Sequence, residues 1–412
     1  MSRVLINALA STAGGGITYL RNVLPRLERR DNTNRYFVLA PPGSLNGQAD
    51  FDNGRVIIEP ITTRGGAIGR MLWEQTRLPF FIDSRRIDAL VSLGNFALFG
   101  ARVPQILFNR NDLYFSPEFE RDLVSRKQYG SLVSHRLKSL IARASIKRAE
   151  INVTPTTAFA DRIRASDGLS GVSFEALHFG FDPDIFTACE EPLPEWQSAR
   201  LKLNENRQRL LFVSHYNYYR NFETLIRALP IIKQRIAESS GKKILLALTT
   251  DIKRDAVYGE YDATAASDLI DELGIREDIA MLGAIDYAKL RQVYRACDLF
   301  VYPSYADSFG HTLLEAMSSG LPVASSDCQV HREICGDAAL YFDTFNEKDL
   351  AEKCVSMLMD RDLRAKLIER GLERSTMFSW DAHVNGLIEL IERCSTLSPK
   401  SANGVRLSES RR

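Results

Sequence analysis

Two acids with seven residues between them, Asp307 and Glu315, flank Gly310 in a run that reads YPSYADSFGHTLLEAMSSGLPVAS from Tyr302 to Ser325. A glycine that opens a helix leaves backbone N–H groups in the first turn without helical partners, and such groups hold a phosphate or a sugar hydroxyl. Carboxylates on either side accept hydrogen bonds from polyols. The combination suits a nucleotide-sugar. The same spacing also fits an ordinary loop-to-helix junction with a capping Asp, Ser or Thr, so the surrounding elements matter.

Those elements alternate. From Arg209 onward RLLFVSHY is followed by NFETLIRALPIIKQRI, KILLALTTD by ATAASDLIDELG, and IAMLGAI by DYAKLRQVYRACD; LFVYPSY, LPVASS and AALYFD continue the series. Short β-rich runs separated by amphipathic helical patterns imply a parallel sheet covered on both faces. The first half repeats this grammar, with strands expected at RVLINAL, RYFVLAP, RVIIEPI, DALVSLG, QILFNR, INVTPT and FEALHF. Gly14, Gly15 and Gly16 follow the first of these strands and precede an amphipathic helix. There a backbone without side chains can approach a phosphate or a sugar, although a tight turn is the plainer reading.

Pro and acids crowd residues 182–206, which read as the end of one domain and a connector. The expected domains are 1–182, with a helix at about 380–395 returning to it, and 207–379, joined by 183–206. The polar tail 396–412 lacks periodicity and reads as disordered. Open α/β sheets take ligands outside the C-terminal ends of their strands, so a ligand is expected between the two sheets.

The totals agree with two domains, because 412 residues exceed what one core usually serves. Lys and Arg number 53 against 52 for Asp and Glu, which gives no global reason to expect nucleic acid as a partner. Cys189, Cys297, Cys328, Cys335, Cys354 and Cys394 form no C-x-x-C pair or zinc spacing, as for reduced thiols in a cytosolic protein. The N-terminal apolar run is too short for a secretory signal, and the uncharged stretch Ala89 to Ala101 is too short to span a bilayer. A cytoplasmic protein is expected, with a peripheral membrane contact left open. Its candidate is 121–148, where eight Lys or Arg face one acid, Asp122, with leucines and isoleucines interleaved. Such a segment lies on an anionic membrane, lines a groove for an anionic acceptor, or is a solvated face.

Four blocks carry a resemblance: GGGITYLRNVLPRL, HFGFDPDIF, SHYNYYRNFETLIRALP, and DLFVYPSYADSFGHTLLEAMSSGLPVASSD followed by EICGDAALYF. Together they resemble the GT-B glycosyltransferases, specifically the retaining nucleotide-sugar enzymes of glycosyltransferase family 4. The likeness covers nearly the whole chain, and its last block is the most specific. It implies an α/β fold of two doubly wound, Rossmann-like parallel-sheet domains facing across a cleft.

In that family two acids at this spacing clasp the donor, the first near the transferred sugar and the second on the ribose. Glu315 matches the second, whereas Asp307 stands at the first and is shorter than Glu by one carbon–carbon bond, about 1.5 Å. The resemblance places Ser308, Phe309, Gly310, His311 and Thr312 beside Glu315 in the donor-binding segment. It assigns a basic pair, usually an Arg and a Lys five residues later, to the donor pyrophosphate. Here His215 and Arg220 hold those positions. Arg forms paired hydrogen bonds to phosphate and stays charged. His215 needs a proton to supply charge, or else packs among Tyr216, Tyr218 and Tyr219.

Asn111-Asp112 stands where many relatives carry a His-Asp pair directed at the sugar. Asn supplies the hydrogen bond without the charge, and a turn or cap role fits equally. Asp182-Pro-Asp184 and Asp360-Arg-Asp362 repeat the metal-binding Asp-x-Asp of another glycosyltransferase fold, but lie in the connector and in a charged helical region. The six histidines lack ligand spacing, so neither metal nor cofactor is expected.

The implied activity is a retaining, metal-independent hexosyl transfer from a UDP- or GDP-sugar to a glycan or lipid-linked acceptor, in cell-surface polysaccharide synthesis. A GT-B phosphorylase or epimerase, or a non-catalytic protein that binds a nucleotide-sugar or a partner, are the alternatives.

Overall fold

The computed structural model describes residues 1–12, 14–45, 54–187 and 192–399. Cys189, part of the expected connector, and 400–412 of the expected tail lie outside the described residues. The chain begins β1 (Arg3–Asn7), α1 (Gly15–Arg30), β2 (Arg35–Ala40), β3 (Val56–Pro60), α2 (Gly66–Arg85), β4 (Ala89–Ser92) and β5 (Gln105–Phe108). It continues through α3 (Pro117–Ser125), α4 (Tyr129–Arg148), β6 (Ile151–Thr154), α5 (Thr157–Arg164), β7 (Glu175–Ala176), α6 (Asp184–Thr187) and α7 (Glu195–Arg200). Next come β8 (Arg207–Phe212), α8 (Phe222–Ser240), β9 (Lys243–Leu248), β10 (Val257–Tyr258), β11 (Tyr261–Asp262), α9 (Thr264–Glu272), β12 (Ile279–Met281) and α10 (Tyr287–Arg295). The last are β13 (Leu299–Tyr302), α11 (His311–Ser318), β14 (Val323–Ser326), α12 (Gln329–Cys335), β15 (Ala339–Phe342), α13 (Glu347–Met359), α14 (Arg361–Ser375) and α15 (Trp380–Ser395).

Every run read as a strand contains one. The central strands are buried along nearly their whole length, β9 as Ile244 to Leu248 and β4 as Ala89 to Ser92, as expected of sheets with helices over both faces. The hairpin β10–β11 was not foreseen; its Tyr258 and Tyr261 pair antiparallel around a turn with Gly259 at φ 65°.

Two units divide the chain: residues 1–115, 132–180 and 379 onward form unit 1, and 116–131 with 181–378 form unit 2. The segment 116–131, which the sequence reading placed in the first domain, belongs with unit 2 for an electrostatic reason. Arg126 bonds Asp122 at 2.6 Å and Glu223 at 3.0 Å and lies 4.0 Å from the Tyr218 ring, while the Tyr305 hydroxyl donates to Asp122 at 2.8 Å. No local periodicity encodes these contacts.

Unit 1 holds a sheet of order β3-β2-β1-β4-β5-β6-β7, all parallel. Helix α15 belongs to this unit. Asp381 accepts from Arg26 at 3.0 Å and Arg30 at 2.6 Å on α1. Buried His383 donates through Nδ1 to the His178 carbonyl at 2.8 Å and accepts at Nε2 from the Tyr19 hydroxyl at 3.0 Å. Burial pushes the His383 pKa down to about 4, so the ring is neutral.

Unit 2 holds a parallel sheet of order β12-β9-β8-β13-β14-β15. In each sheet the chain leaves the first strand in one direction and later resumes on its other side. The switch points therefore lie between β1 and β4 and between β8 and β13, the places where doubly wound sheets bind ligands. Among the described residues, no helix is long and apolar enough to cross a membrane.

Candidate functional site

The switch point of unit 2 collects the loops that follow β8 and β13. Asn217 accepts from the Arg220 amide at 3.1 Å, and Asn221, at φ 55°, reaches the carbonyls of Pro303 at 3.2 Å and Thr344 at 2.7 Å. The Tyr305 amide donates to the Tyr219 carbonyl at 3.0 Å. These bonds fix the β8 loop against the β13 loop.

Arg220 and Asp307 meet there. Arg220 Nη1 donates to Asp307 Oδ2 at 2.7 Å and Oδ1 at 2.9 Å, to Ser304 Oγ at 3.2 Å, and to the Tyr302 hydroxyl. Its guanidinium carbon lies 5.1 Å from the Tyr219 ring centre. Arg220 Nε is buried and has no hydrogen-bond partner among the described residues. A buried donor without an acceptor is costly, so this edge of the guanidinium favours an acceptor brought by water, an ion or a ligand. Burial alone would lower the Arg220 pKa, but the Asp307 carboxylate and the neighbouring tyrosines outweigh it and hold the guanidinium charged.

Asp307, only 9% exposed, also accepts from the Tyr302 hydroxyl at 2.9 Å and lies 3.3 Å from His331 Nε2. Fully buried His331, on α12, has its Nδ1 3.0 Å from Ser325 Oγ and 3.1 Å from Ser326 Oγ. Burial acts to raise the Asp307 pKa. Arg220, with hydrogen bonds from His331 and Tyr302, more than reverses this and keeps the carboxyl well below the usual carboxylate range.

Gly310 opens α11 at φ 86°, ψ 56°, and a Cβ there would lie 2.9 Å from Leu313 Cδ1. No side chain caps α11 and its first turn holds no acid, so the start of the helix keeps the partial positive charge that attracts an anion. Phe309 is buried against Phe378, with Ser308, His311 and Thr312 partly exposed around it. Glu315, one turn on, sits in a second buried cluster. Tyr294 donates to Oε2 at 2.9 Å and Tyr287 also bonds it. Burial pushes its pKa up to about 7 against the pull of these two tyrosines.

His215 is exposed on the loop after β8 rather than packed among the tyrosines, and its carbonyl accepts from Ser214 and Asn217. In unit 1, Gly14 caps α1 at φ 55°, and Arg110 reaches the Gly15 carbonyl at 3.4 Å from between the Tyr19 and Phe179 rings. Gly16 passes so close to Ser11 that a Cβ would stand 3.0 Å from it. Asn111 accepts from the Leu113 amide at 3.2 Å, which is turn geometry, and buried Asp112 pairs with Arg162 at 2.9 Å.

Of the two Asp-x-Asp matches, Asp360 caps α14 through the Leu363 amide at 2.9 Å, and Asp184 begins α6. Among the described residues no three His, Cys, Asp or Glu side chains gather as a metal site, and the five described cysteines are buried. The basic segment 121–148 is not uniform. Arg126 and Arg148 are tied inward, Arg148 to the carbonyls of Phe99 at 3.0 Å and Ala101 at 2.7 Å, whereas Val133, Leu137 and Leu140 of α4 stand 69%, 58% and 64% exposed.

Sequence reasoning missed Tyr302, Ser304 and His331 around Asp307, and Tyr294 on Glu315. For Tyr302 and Ser304 the signal was a hydroxyl at or just past the end of an otherwise apolar strand; His331 on α12 and Tyr294 on α10 carried none in motif spacing.

Several known proteins are similar to this chain in sequence or fold. Residues 195–374 match the family model described as glycosyl transferases group 1. Sucrose-phosphate synthase of Spinacia oleracea is 25% identical over 234 residues, covering 54% of this chain and 21% of that protein. The O-antigen chain mannosyltransferase B of Escherichia coli is 37% identical over 111 residues, 27% of this chain and 29% of the relative. The chain thus spans about a fifth to under a third of these relatives. The crystal structure of Anabaena HepE in complex with UDP and glucose superposes with a TM-score of 0.67 at 18% identity, covering 95% of this chain and 100% of that one. The fold is the GT-B, Rossmann-like architecture of two parallel-sheet α/β units, and the group 1 match falls on unit 2.

Proposed function

We propose that the protein is a retaining, metal-independent glycosyltransferase of the family 4 type, moving a hexose from a UDP- or GDP-sugar to a hydroxyl of a glycan or lipid-linked glycan. The observation that carries this reading is Arg220. It stands at the unit 2 switch point with one edge of its guanidinium anchored and its buried Nε without an acceptor. The uncapped start of α11 follows β13, the strand beside β8.

As the donor bond breaks, negative charge builds on the leaving diphosphate. Arg220 and the N–H groups at the start of α11 are fixed donors for that charge, so they stabilise it without reorganising. The incoming hydroxyl attacks on the face the diphosphate leaves and passes its proton to a phosphate oxygen, so no separate protein base is required. Ser308, Phe309, His311 and Thr312 form the walls of the donor site, with Glu315 buried behind them under Tyr294 and Tyr287. His215, exposed, adds charge only when protonated. Gly14 to Gly16 and Asn111 serve the acceptor side, while the Asp112 carboxylate is committed to Arg162.

Similarity to an O-antigen chain mannosyltransferase supports transfer in cell-surface polysaccharide synthesis, and similarity to a UDP-bound structure supports a nucleotide-sugar donor. The exposed apolar ridge of α4, with Arg136 and Lys147 exposed beside it, supports a cytoplasmic enzyme resting on an anionic membrane. Thermal stabilisation by UDP-, GDP- and ADP-sugars, followed by release of nucleoside diphosphate to an acceptor extract in EDTA, tests the proposal. Stabilisation by one class and EDTA-insensitive turnover are expected. Stabilisation by none, or turnover only with added phosphate, would overturn it.

A further inference from the structure

We infer that Asp307 is the positioning residue that aims Arg220 at the donor diphosphate, and not a ligand of the transferred sugar; this rests on the nucleotide-sugar reading above. A carboxylate has about four acceptor sites. Asp307 Oδ2 takes Arg220 Nη1 at 2.7 Å, the Tyr302 hydroxyl at 2.9 Å and His331 Nε2 at 3.3 Å, while Oδ1 takes the same Nη1 at 2.9 Å. Little acceptor capacity is left for a sugar hydroxyl, and 9% exposure leaves little surface to meet one.

The short side chain is what makes this possible. It keeps the carboxylate at the strand end beneath Tyr302 and His331, and a Glu would carry it about 1.5 Å further, past the nitrogen it now holds. His331 is anchored in turn by Ser325 and Ser326 of β14, so three neighbouring strand ends, β8, β13 and β14, determine where the guanidinium points. Its Nη1 edge is committed inward, and 20% of the side chain stays exposed towards the ligand. A donor held this way is already aimed before charge develops. Selectivity for the hexose then belongs to other residues than Asp307.

The two roles separate when ligands with and without the sugar are compared. Binding of UDP and UDP-glucose, and of GDP and GDP-mannose, is measured by calorimetry on the full chain and on Asp307→Ala, Asp307→Asn and Asp307→Glu. A positioning role predicts that Asp307→Ala weakens the diphosphate and its sugar conjugate by the same factor, about tenfold or more. Asp307→Asn, which keeps one acceptor for Nη1, recovers part of the loss. Asp307→Glu weakens both ligands instead of improving the conjugate. A loss confined to the sugar conjugate, with UDP and GDP binding unchanged, overturns the inference while leaving the nucleotide-sugar reading intact. Wild-type protein that binds none of the four overturns both. Should Asp307→Ala fail to fold, His331→Gln makes the same comparison with the same paired loss expected.

Discussion

Replacing Glu315 by Gln should make unit 2 more stable relative to the wild type as pH rises, because Glu315 is a carboxyl kept partly protonated by burial. The residue is 5% exposed, with two tyrosine hydroxyls on its carboxylate, and its pKa is pushed from an ordinary 4.5 up to about 7. The native state therefore holds a proton that the unfolded chain releases between pH 4.5 and 7, so the stabilisation is full below the lower value and is lost as pH climbs through the upper one. At 1.36 kcal/mol for each pH unit, the loss amounts to about 3 kcal/mol by pH 8. Glu315→Gln has no proton to lose. Its amide pays a constant penalty, about 1–3 kcal/mol, wherever its N–H groups lack partners, so the slope of the difference matters and not its value at one pH. Hydrogen exchange of the α11 amides, compared between variant and wild type at each pH from 5 to 8, reads the opening free energy of this unit independently of unit 1. The difference should shift towards the variant by about 2–3 kcal/mol across that range. A difference flat to within about 0.5 kcal/mol would mean that Glu315 is ionised throughout, and the burial argument would fail.

Two further outcomes follow from the geometry. Gly310→Ala forces a side chain into left-handed backbone with its Cβ 2.9 Å from Leu313, so unit 2 should lose about 1–2 kcal/mol in denaturant unfolding, and nucleotide affinity should fall with it. An unshifted midpoint would show that the loop adopts another conformation at no cost. Val133→Asp with Leu137→Asp should abolish co-sedimentation with phosphatidylglycerol vesicles without lowering nucleotide binding, since both side chains are mostly exposed. Wild-type protein that stays in the supernatant at low salt would remove the membrane proposal.

The sheets were legible because their central strands are buried on both faces and read as apolar runs, and the runs at KILLAL and ALVS need no tertiary information. The hairpin β10–β11 was not, because each strand has two residues and no room for a period. The segment 116–131 was misplaced for a related reason: what holds it in unit 2 is Arg126 to Glu223, 97 positions apart, and no window of sequence contains both. The basic count over 121–148 treated eight cations alike. Burial then divides them, with Arg148 at 3% exposure bonded to carbonyls and Lys147 beside it exposed.

The same limit explains why Arg220 and Asp307 were both marked, yet with separate partners. Each belongs to its own motif, and their bond spans 87 positions. Topology supplies what spacing cannot: β8 and β13 are adjacent in the sheet, so residues just past their C-terminal ends converge. Polarity at those ends is then the readable signal. β13 is LFVY with Ser304 close behind, and β14 is VASS, with Tyr302, Ser304, Ser325 and Ser326 each at most 1% exposed. Buried hydroxyls cost free energy unless bonded, so their presence at the ends of apolar strands implies polar partners supplied by other loops. Arg220, Asp307 and His331 are those partners. His331 reaches the strand ends from α12, with its Nδ1 beside Ser325 and Ser326 and its Nε2 beside Asp307, a convergence that the order of the strands creates and motif spacing does not.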